Sequence, residues 1–195
     1  VGRGNIPVMD IIAPDLTEIV DALAPCAAWL TGELRSDHAG EAGAVMIYRG
    51  ILAGSRDTAI RRFAQAHGVT EQGHLDMMEA LLPPGQRSVV LPLWRVAGWL
   101  TGFLPALAGP RAVYATIDAV ETFVDHHYEA QIIRLPITGP GGALRDALAA
   151  CQEDEVHHRD EARACRGAPP GMLLGLWTWM VAAGSKAAVS AARRI

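Results

Sequence analysis

Little in this sequence alternates. β-branched residues at every second position are scarce, so strands have no pattern to build on; Ala, Leu, Glu and Arg dominate, and the reading is all-α. Charge is scarce as well: charged residues make up only 19% of the 195 and leave a net charge of −4, which offers nucleic acid no basic surface. Cys26, Cys151 and Cys165 are an odd number without a Cys-x-x-Cys spacing. They read as free thiols of a reducing compartment, packed in the interior. No glycine-rich dinucleotide fingerprint and no low-complexity segment occurs. Residues 1–14 lack the basic-then-apolar order of a secretory signal, and the missing initiator Met reads as a trimmed start.

What the chain does have is length for one domain with a sizeable core, and helical segments divided by Gly and Pro. A short amphipathic segment is expected over 15–30. A first long helix starts at the N-cap candidates Ser36 or Asp37 and runs to about Ala53. After a turn at 54–57 a second helix covers 58–82, ended by Pro83-Pro84-Gly85. An apolar stretch, 91–109, crosses over to a helix at 111–135. A loop at 136–142 leads to a helix at 143–165, and a last apolar helix follows Pro169-Pro170-Gly171 through Ala192.

One pattern occurs twice on these helices. Glu41 stands seven residues before Tyr48 and is followed by Glu71-x-x-His74; Glu121 stands seven before Tyr128 and is followed by Glu155-x-x-His158. Residues at i and i+3 share a helix face, so each Glu-x-x-His pair can bind one centre, and a seven-residue spacing returns each tyrosine to the face of its glutamate. From a turn near residue 56, Glu41 and Glu71 each lie about 15 residues away, and from a loop near 138, Glu121 and Glu155 each lie about 17 away, so each pair stands level on antiparallel helices. Two such hairpins form a four-helix bundle with four carboxylates and two imidazoles at mid-height, the ligand set of a di-iron or di-manganese site. Four buried carboxylates without cations would be prohibitively costly, and oxygen and nitrogen donors suit iron or manganese.

The last pair has two registers. Glu155 with His158 repeats the Glu-x-x-His chemistry, whereas Asp154 with His157 is the same spacing one residue earlier. The first is preferred, because it frees Asp154 to accept a hydrogen bond from the far nitrogen of His74. Tyr48 and one of His126 and His127, with His127 the choice, are placed beside the ligands. His38 is either beside them or at a helix N-terminus, and His67 is read as a surface residue. Tyr128 either delivers electrons or protons to the metals or donates a hydrogen bond to a ligand carboxylate.

The words around the ligands are narrower than the ligand set. Asp37-His38-Ala39-Gly40-Glu41-Ala42-Gly43-Ala44 with Ile47-Tyr48, Leu91-Pro92-Leu93-Trp94 with Gly98, Val120-Glu121 with His126-His127-Tyr128 and Gln131-Ile132, and the closing 183–195 stretch resemble the demethoxyubiquinone hydroxylase family of ubiquinone biosynthesis. The resemblance covers residues 31–195, leaving 1–30 as an N-terminal segment without a counterpart. It departs from the family at Ala42, where an aromatic is common, and in the short, glycine-rich 136–142 loop.

The resemblance implies a ferritin-like bundle with apolar crossover and C-terminal helices. It implies two iron ions on Glu41, Glu71, His74, Glu121, Glu155 and His158, with Glu71 and Glu155 bridging. The implied activity is an O2-dependent monooxygenase acting on the ring of a polyprenylated methoxy-benzoquinol, with electrons from NADH that is not tightly bound. A lipid-binding partner protein or a homo-oligomer is a further implication. A ferritin-like oxidase of iron or peroxide, and a non-enzymatic quinone- or lipid-binding helical protein, are the competing readings.

The apolar segments 91–109 and 172–184 bear on that choice. The first is interrupted by Arg95 and Pro105 and the second is short, so neither reads as a transmembrane span. They are either core or a monotopic surface that dips into a bilayer and admits a prenyl tail. The second reading places the protein on the cytoplasmic face of a bacterial inner membrane, or on the matrix face of a mitochondrial one.

Overall fold

The structure, a computed structural model, describes residues 27–195. Among these residues it is wholly helical: α1 (Ala27–Gly54), α2 (Thr58–Leu81), a 3₁₀ turn (Pro84–Gln86), α3 (Leu91–Ala108), α4 (Pro110–Ile132), α5 (Gly139–Arg166) and α6 (Met172–Ala192). The all-α bundle expected from composition and periodicity is what forms. Of the 15–30 segment, residues 15–26 lie outside the described part, and residues 27–30 are the start of α1.

α1 and α2 form one hairpin, α4 and α5 the other. Asp57 caps α2, its carboxylate accepting from the Ala59 and Ile60 amides at 2.8 and 3.0 Å. Between α3 and α4 the chain turns on Gly109 at φ 104°, a left-handed conformation that favours glycine. Each of the four bundle helices contributes to two apolar clusters. One holds Leu34, Met77, Met78, Ile132 and Leu148; the other holds Ile51, Ile60, Phe63, Val113 and Ile117. On every bundle helix the glutamate falls between the stretches that feed the two clusters. The polar layer is therefore sealed above and below by hydrocarbon.

Three expected boundaries are wrong. Ser36 and Asp37 do not cap α1, which begins nine residues or more before them. The Ser36 hydroxyl donates back to the Glu33 carbonyl of its own helix at 2.7 Å, and Asp37 accepts from the Gln131 amide of α4 at 2.7 Å, so both groups that would otherwise cap are used inside the bundle. The loop expected at 136–142 lies at 133–138 instead, since α4 ends at Ile132 rather than 135 and α5 starts at Gly139. Pro140 sits in its first turn, where a missing N–H leaves no bond unmade.

α3 crosses α1 at a glycine-lined contact, with Gly98 and Gly102 on one side and the Gly43 and Ile47 carbonyls on the other. A Cβ at Gly102 would stand 1.9 Å from the Ile47 carbonyl oxygen, and one at Gly98 would stand 2.4 Å from that of Gly43. The outer side of α3 carries Leu93, Val96, Leu100, Leu104 and Leu107, all exposed and spaced three and four apart. On α6, Met172, Leu173, Leu176, Trp179 and Met180 are likewise exposed. By length and composition α6 is apolar enough to cross a membrane, so the short 172–184 span expected from the sequence is too narrow. Gly102→Val should destabilise the protein by about 2 kcal/mol or more through backbone displacement at this crossing, measured by denaturant unfolding; Gly73→Ala, where an added Cβ meets nothing, should be neutral or stabilising.

Candidate metal centre

Glu41 on α1, Glu71 and His74 on α2, Glu121 on α4, and Glu155 and His158 on α5 are all buried and meet between the two apolar clusters. They form two overlapping groups, Glu41–Glu71–His74–Glu155 and Glu71–Glu121–Glu155–His158, in each of which the donor atoms lie within 4.8 Å of one another. Glu71 and Glu155 belong to both groups. Glu155 straddles the site: its Oε1 lies 3.0 Å from His74 Nδ1 and its Oε2 lies 3.4 Å from His158 Nδ1. His158 Nδ1 also lies 3.0 Å from Glu71 Oε1.

These atoms are close without being paired. Glu41 Oε2, Glu71 Oε1, His74 Nδ1, both oxygens of Glu155 and His158 Nδ1 are all buried and lack a hydrogen-bond partner. Burying so many polar atoms unpaired would be costly, and their convergence is what a cation needs from its ligands. The four carboxylates would carry four negative charges, which two divalent cations cancel. Oxygen and imidazole donors fit iron or manganese, and Glu71 and Glu155 are the two carboxylates common to both groups.

The surrounding groups fix the orientations. His74 Nε2 donates to Asp154 at 3.1 Å, which holds the proton on that nitrogen and leaves the Nδ1 lone pair facing inward. Asp154 thus stands where the sequence put it, while His157 is exposed and His158 buried. Tyr128 donates to Glu41 and Tyr48 donates to Glu121 at 3.3 Å. Each tyrosine faces the same way as its own glutamate but reaches the glutamate of the other hairpin. His127 is nearly buried and lies 2.8 Å from Asp37, whereas His126 points to solvent. His38 is fully buried in the interior of α1, 3.7 Å from Glu79, and has no helix-terminal role. Cys151 is buried against His74, and burial pushes its thiol up to about 11; Cys165, expected in the interior, is exposed. Cys26 lies outside the described residues.

His67 corrects the sequence reading most sharply. It is only 5% exposed, its ring centroid lies 4.1 Å from that of His158, and its Nε2 is 3.0 Å from Glu161. The signal was present: His67 precedes His74 by seven residues, the same two-turn spacing that aligned each tyrosine with its glutamate.

A cavity of about 390 Å³ opens onto this layer. Glu41, Glu71, Glu121 and Glu155 line its inner end, while Trp94 from α3 and Met180 from α6 line its apolar walls. His74 and His158 are absent from its lining, so the carboxylates face the cavity and the imidazoles back them.

Burial pushes the Glu41 and Glu121 carboxyls well above their ordinary range, and neighbouring carboxylates add to both shifts. Glu71 is raised for the same reasons. A carboxyl with a raised folded-state pKa contributes stability below its unfolded pKa and loses it as pH rises through the folded value. Metal-free protein should therefore melt lower at pH 8 than at pH 5. Metal displaces those protons, so the gain in Tm on adding Mn²⁺ should be larger at pH 8 by about 5 °C or more, measured by differential scanning fluorimetry.

Comparison with known proteins identifies a family. A family described as ubiquinone biosynthesis protein COQ7 matches residues 28–192. The chain is 31% identical to the NADPH-dependent 3-demethoxyubiquinone 3-hydroxylase, mitochondrial, of Caenorhabditis elegans, covering 83% of this chain and 88% of that one. It is 33% identical to the 3-demethoxyubiquinol 3-hydroxylase of Rhodospirillum rubrum over 87% of this chain and 80% of the relative. To the enzyme of the same name in Cupriavidus necator it is 30% identical, over 82% and 76%. Since the matched span runs from the start of α1 to the last residue of α6 and takes in every described helix, the chain belongs to the ubiquinone biosynthesis protein COQ7 family.

Proposed function

We propose that this protein is a di-iron monooxygenase that hydroxylates the ring of a polyprenylated methoxy-benzoquinol, demethoxyubiquinol, with O2. The observation that carries the reading is the cavity: four buried carboxylates line it, and its walls are mainly apolar, built by α1 and α4 together with the two helices that expose apolar stripes. A quinol ring with a hydrocarbon tail has that same division of polar head and apolar body. The names of the relatives describe this reaction for those proteins.

When bound, the two irons supply the activation of O2. The chain's own residues hold, orient and shield. Asp154 keeps His74 in the Nε2–H tautomer, and the Tyr48 and Tyr128 hydroxyls pin Glu121 and Glu41 from across the bundle. Tyr128 Oη is the candidate atom for delivering a proton or an electron at the cavity end of the site. The apolar clusters at either end exclude water from the layer where a reactive oxygen would be held. The reductant is a reduced nicotinamide; NADH is the expected donor, while the names of the eukaryotic relatives specify NADPH.

The exposed stripes of α3 and α6 form the membrane-facing side in this reading, and the protein lies on the bilayer rather than across it. α6 is tied to the bundle near both ends: Trp177 Nε1 donates to Thr116 at 2.8 Å, and Arg193 pairs with Glu33 at 2.7 Å. A helix held this way along its length presents one side to lipid. The location is the cytoplasmic face of a bacterial inner membrane, or the matrix face in a eukaryote; the names of the eukaryotic relatives include "mitochondrial". A lipid-binding partner protein or a second copy would cover part of this apolar face.

Aerobic incubation of iron-loaded protein with NADH or NADPH and a short-tailed demethoxyquinone should yield the ring-hydroxylated product by mass spectrometry. Iron or peroxide turnover without that product would favour the ferritin-like oxidase instead. Glu71→Ala should lower product formation by about 100-fold or more and bring iron below about one per chain; full iron retention would remove Glu71 from the ligand set. Leu100→Glu with Leu104→Glu should release the protein from vesicles in a flotation assay, with its iron content unchanged. Persistent flotation would contradict the membrane-facing assignment of α3.

A further inference from the structure

Outside the six central side chains, one cluster brings two imidazoles to the same carboxylate oxygen. Glu161 Oε2 on α5 lies 3.0 Å from His67 Nε2 on α2 and 3.8 Å from His157 Nε2 on α5. The two imidazoles thus flank a single carboxylate oxygen, their ring centroids 5.9 Å apart. His157 and Glu161 are at i and i+4 on one helix face, and their side chains are 71% and 42% exposed, leaving both room to turn toward a common centre. His67 is buried and fixed, and its ring lies edge-on to that of His158 at 4.1 Å between centroids. The cluster is therefore on the imidazole side of the central layer, away from the cavity.

We propose that His67, His157 and Glu161 form a third divalent-cation site, on the outer surface, through which metal is passed to the buried pair. Two imidazoles and one carboxylate form a sufficient ligand set for a first-row divalent cation and leave its other positions to water, so the ion is held loosely and can be released inward. The cavity side is a poor entry for an ion, since its walls are mainly apolar and its outer face is assigned to lipid. From the opposite side an ion meets the exposed His157 and Glu161 first, then His67, then His158 and Glu71. The inference rests on the reading of the buried layer as a metal centre. It differs from a purely structural His67–Glu161 hydrogen bond, which would orient the ring against His158 but would need neither His157 nor an ion.

The test uses His157→Ala and Glu161→Gln, surface changes that leave the core intact, with Co²⁺ titrated into metal-free protein by calorimetry and absorbance. Wild-type protein should take up about three Co²⁺ per chain and each variant about two. Loading of the inner pair with Fe²⁺, followed by stopped flow under anaerobic conditions, should slow by about 10-fold in both variants with the final stoichiometry at the inner pair unchanged. Two Co²⁺ in wild type, or wild-type loading rates in both variants, would overturn the proposal and leave the inner site standing. No Co²⁺ in wild type would remove the inner site as well.

Discussion

The structure depends on a burial that hydrocarbon alone cannot sustain. Four glutamates and two histidines occupy one layer of the bundle, and several of their polar atoms lack partners. Protonation removes part of the cost in the absence of metal, which is the direction in which Glu41, Glu71 and Glu121 are shifted. Cations remove it more fully. Everything around the layer is arranged to keep it dry and in place: apolar clusters at both ends, two tyrosines reaching across, and Asp154 against the outer nitrogen of His74. Binding of metal and stability of the fold are thereby the same free energy viewed from two sides.

Much of this was legible in the sequence because helical geometry is rigid. Counting residues outward from the turns at 54–57 and near 138 levels the four glutamates, and the structure brings them together even though α5 begins at Gly139 rather than 143. A shift in where a helix starts does not move the residues already on it. What spacing could not supply was direction across the bundle. Seven residues put Tyr48 on the face of Glu41, but its hydroxyl lies too far along its own helix to reach back and finds Glu121 on α4 instead. Ser36 and Asp37 look like caps in isolation and become interior residues only because Gln131 and His127 on α4 face them. His67 failed for a different reason. A lone histidine on a helix carries no signal until the heptad that joins it to His74 is read together with the glutamate opposite, and Glu161 is ninety-four positions away.

The two hairpins repeat the same ligand pattern, yet their surroundings break the symmetry. His74 is oriented by an acid, Asp154, which sits one residue before Glu155. The matching position before Glu71 is Thr70, and His158 is backed by the ring of His67 instead. An imidazole whose far nitrogen donates to a carboxylate is a stronger electron donor than one that is not so paired. Two ions bound here would therefore have different ligand fields despite near-identical ligands.

The layer also has two unlike sides. On the α1 and α4 side the carboxylates face a cavity that these two helices enclose together with α3 and α6, and the glycine contact between α1 and α3 brings that wall close enough to shape it. On the α2 and α5 side the imidazoles face outward through His67, Asp154 and Glu161 to solvent. An apolar substrate and O2, which partitions into lipid, suit the first side; hydrated cations suit the second. Separating them has a physical consequence. The path that admits a hydrated ion would also admit water, and water on the substrate side would quench an activated oxygen before it reached the ring. A bundle with its carboxylates toward an apolar cavity and its imidazoles toward a polar rim keeps the two traffics apart without a moving part.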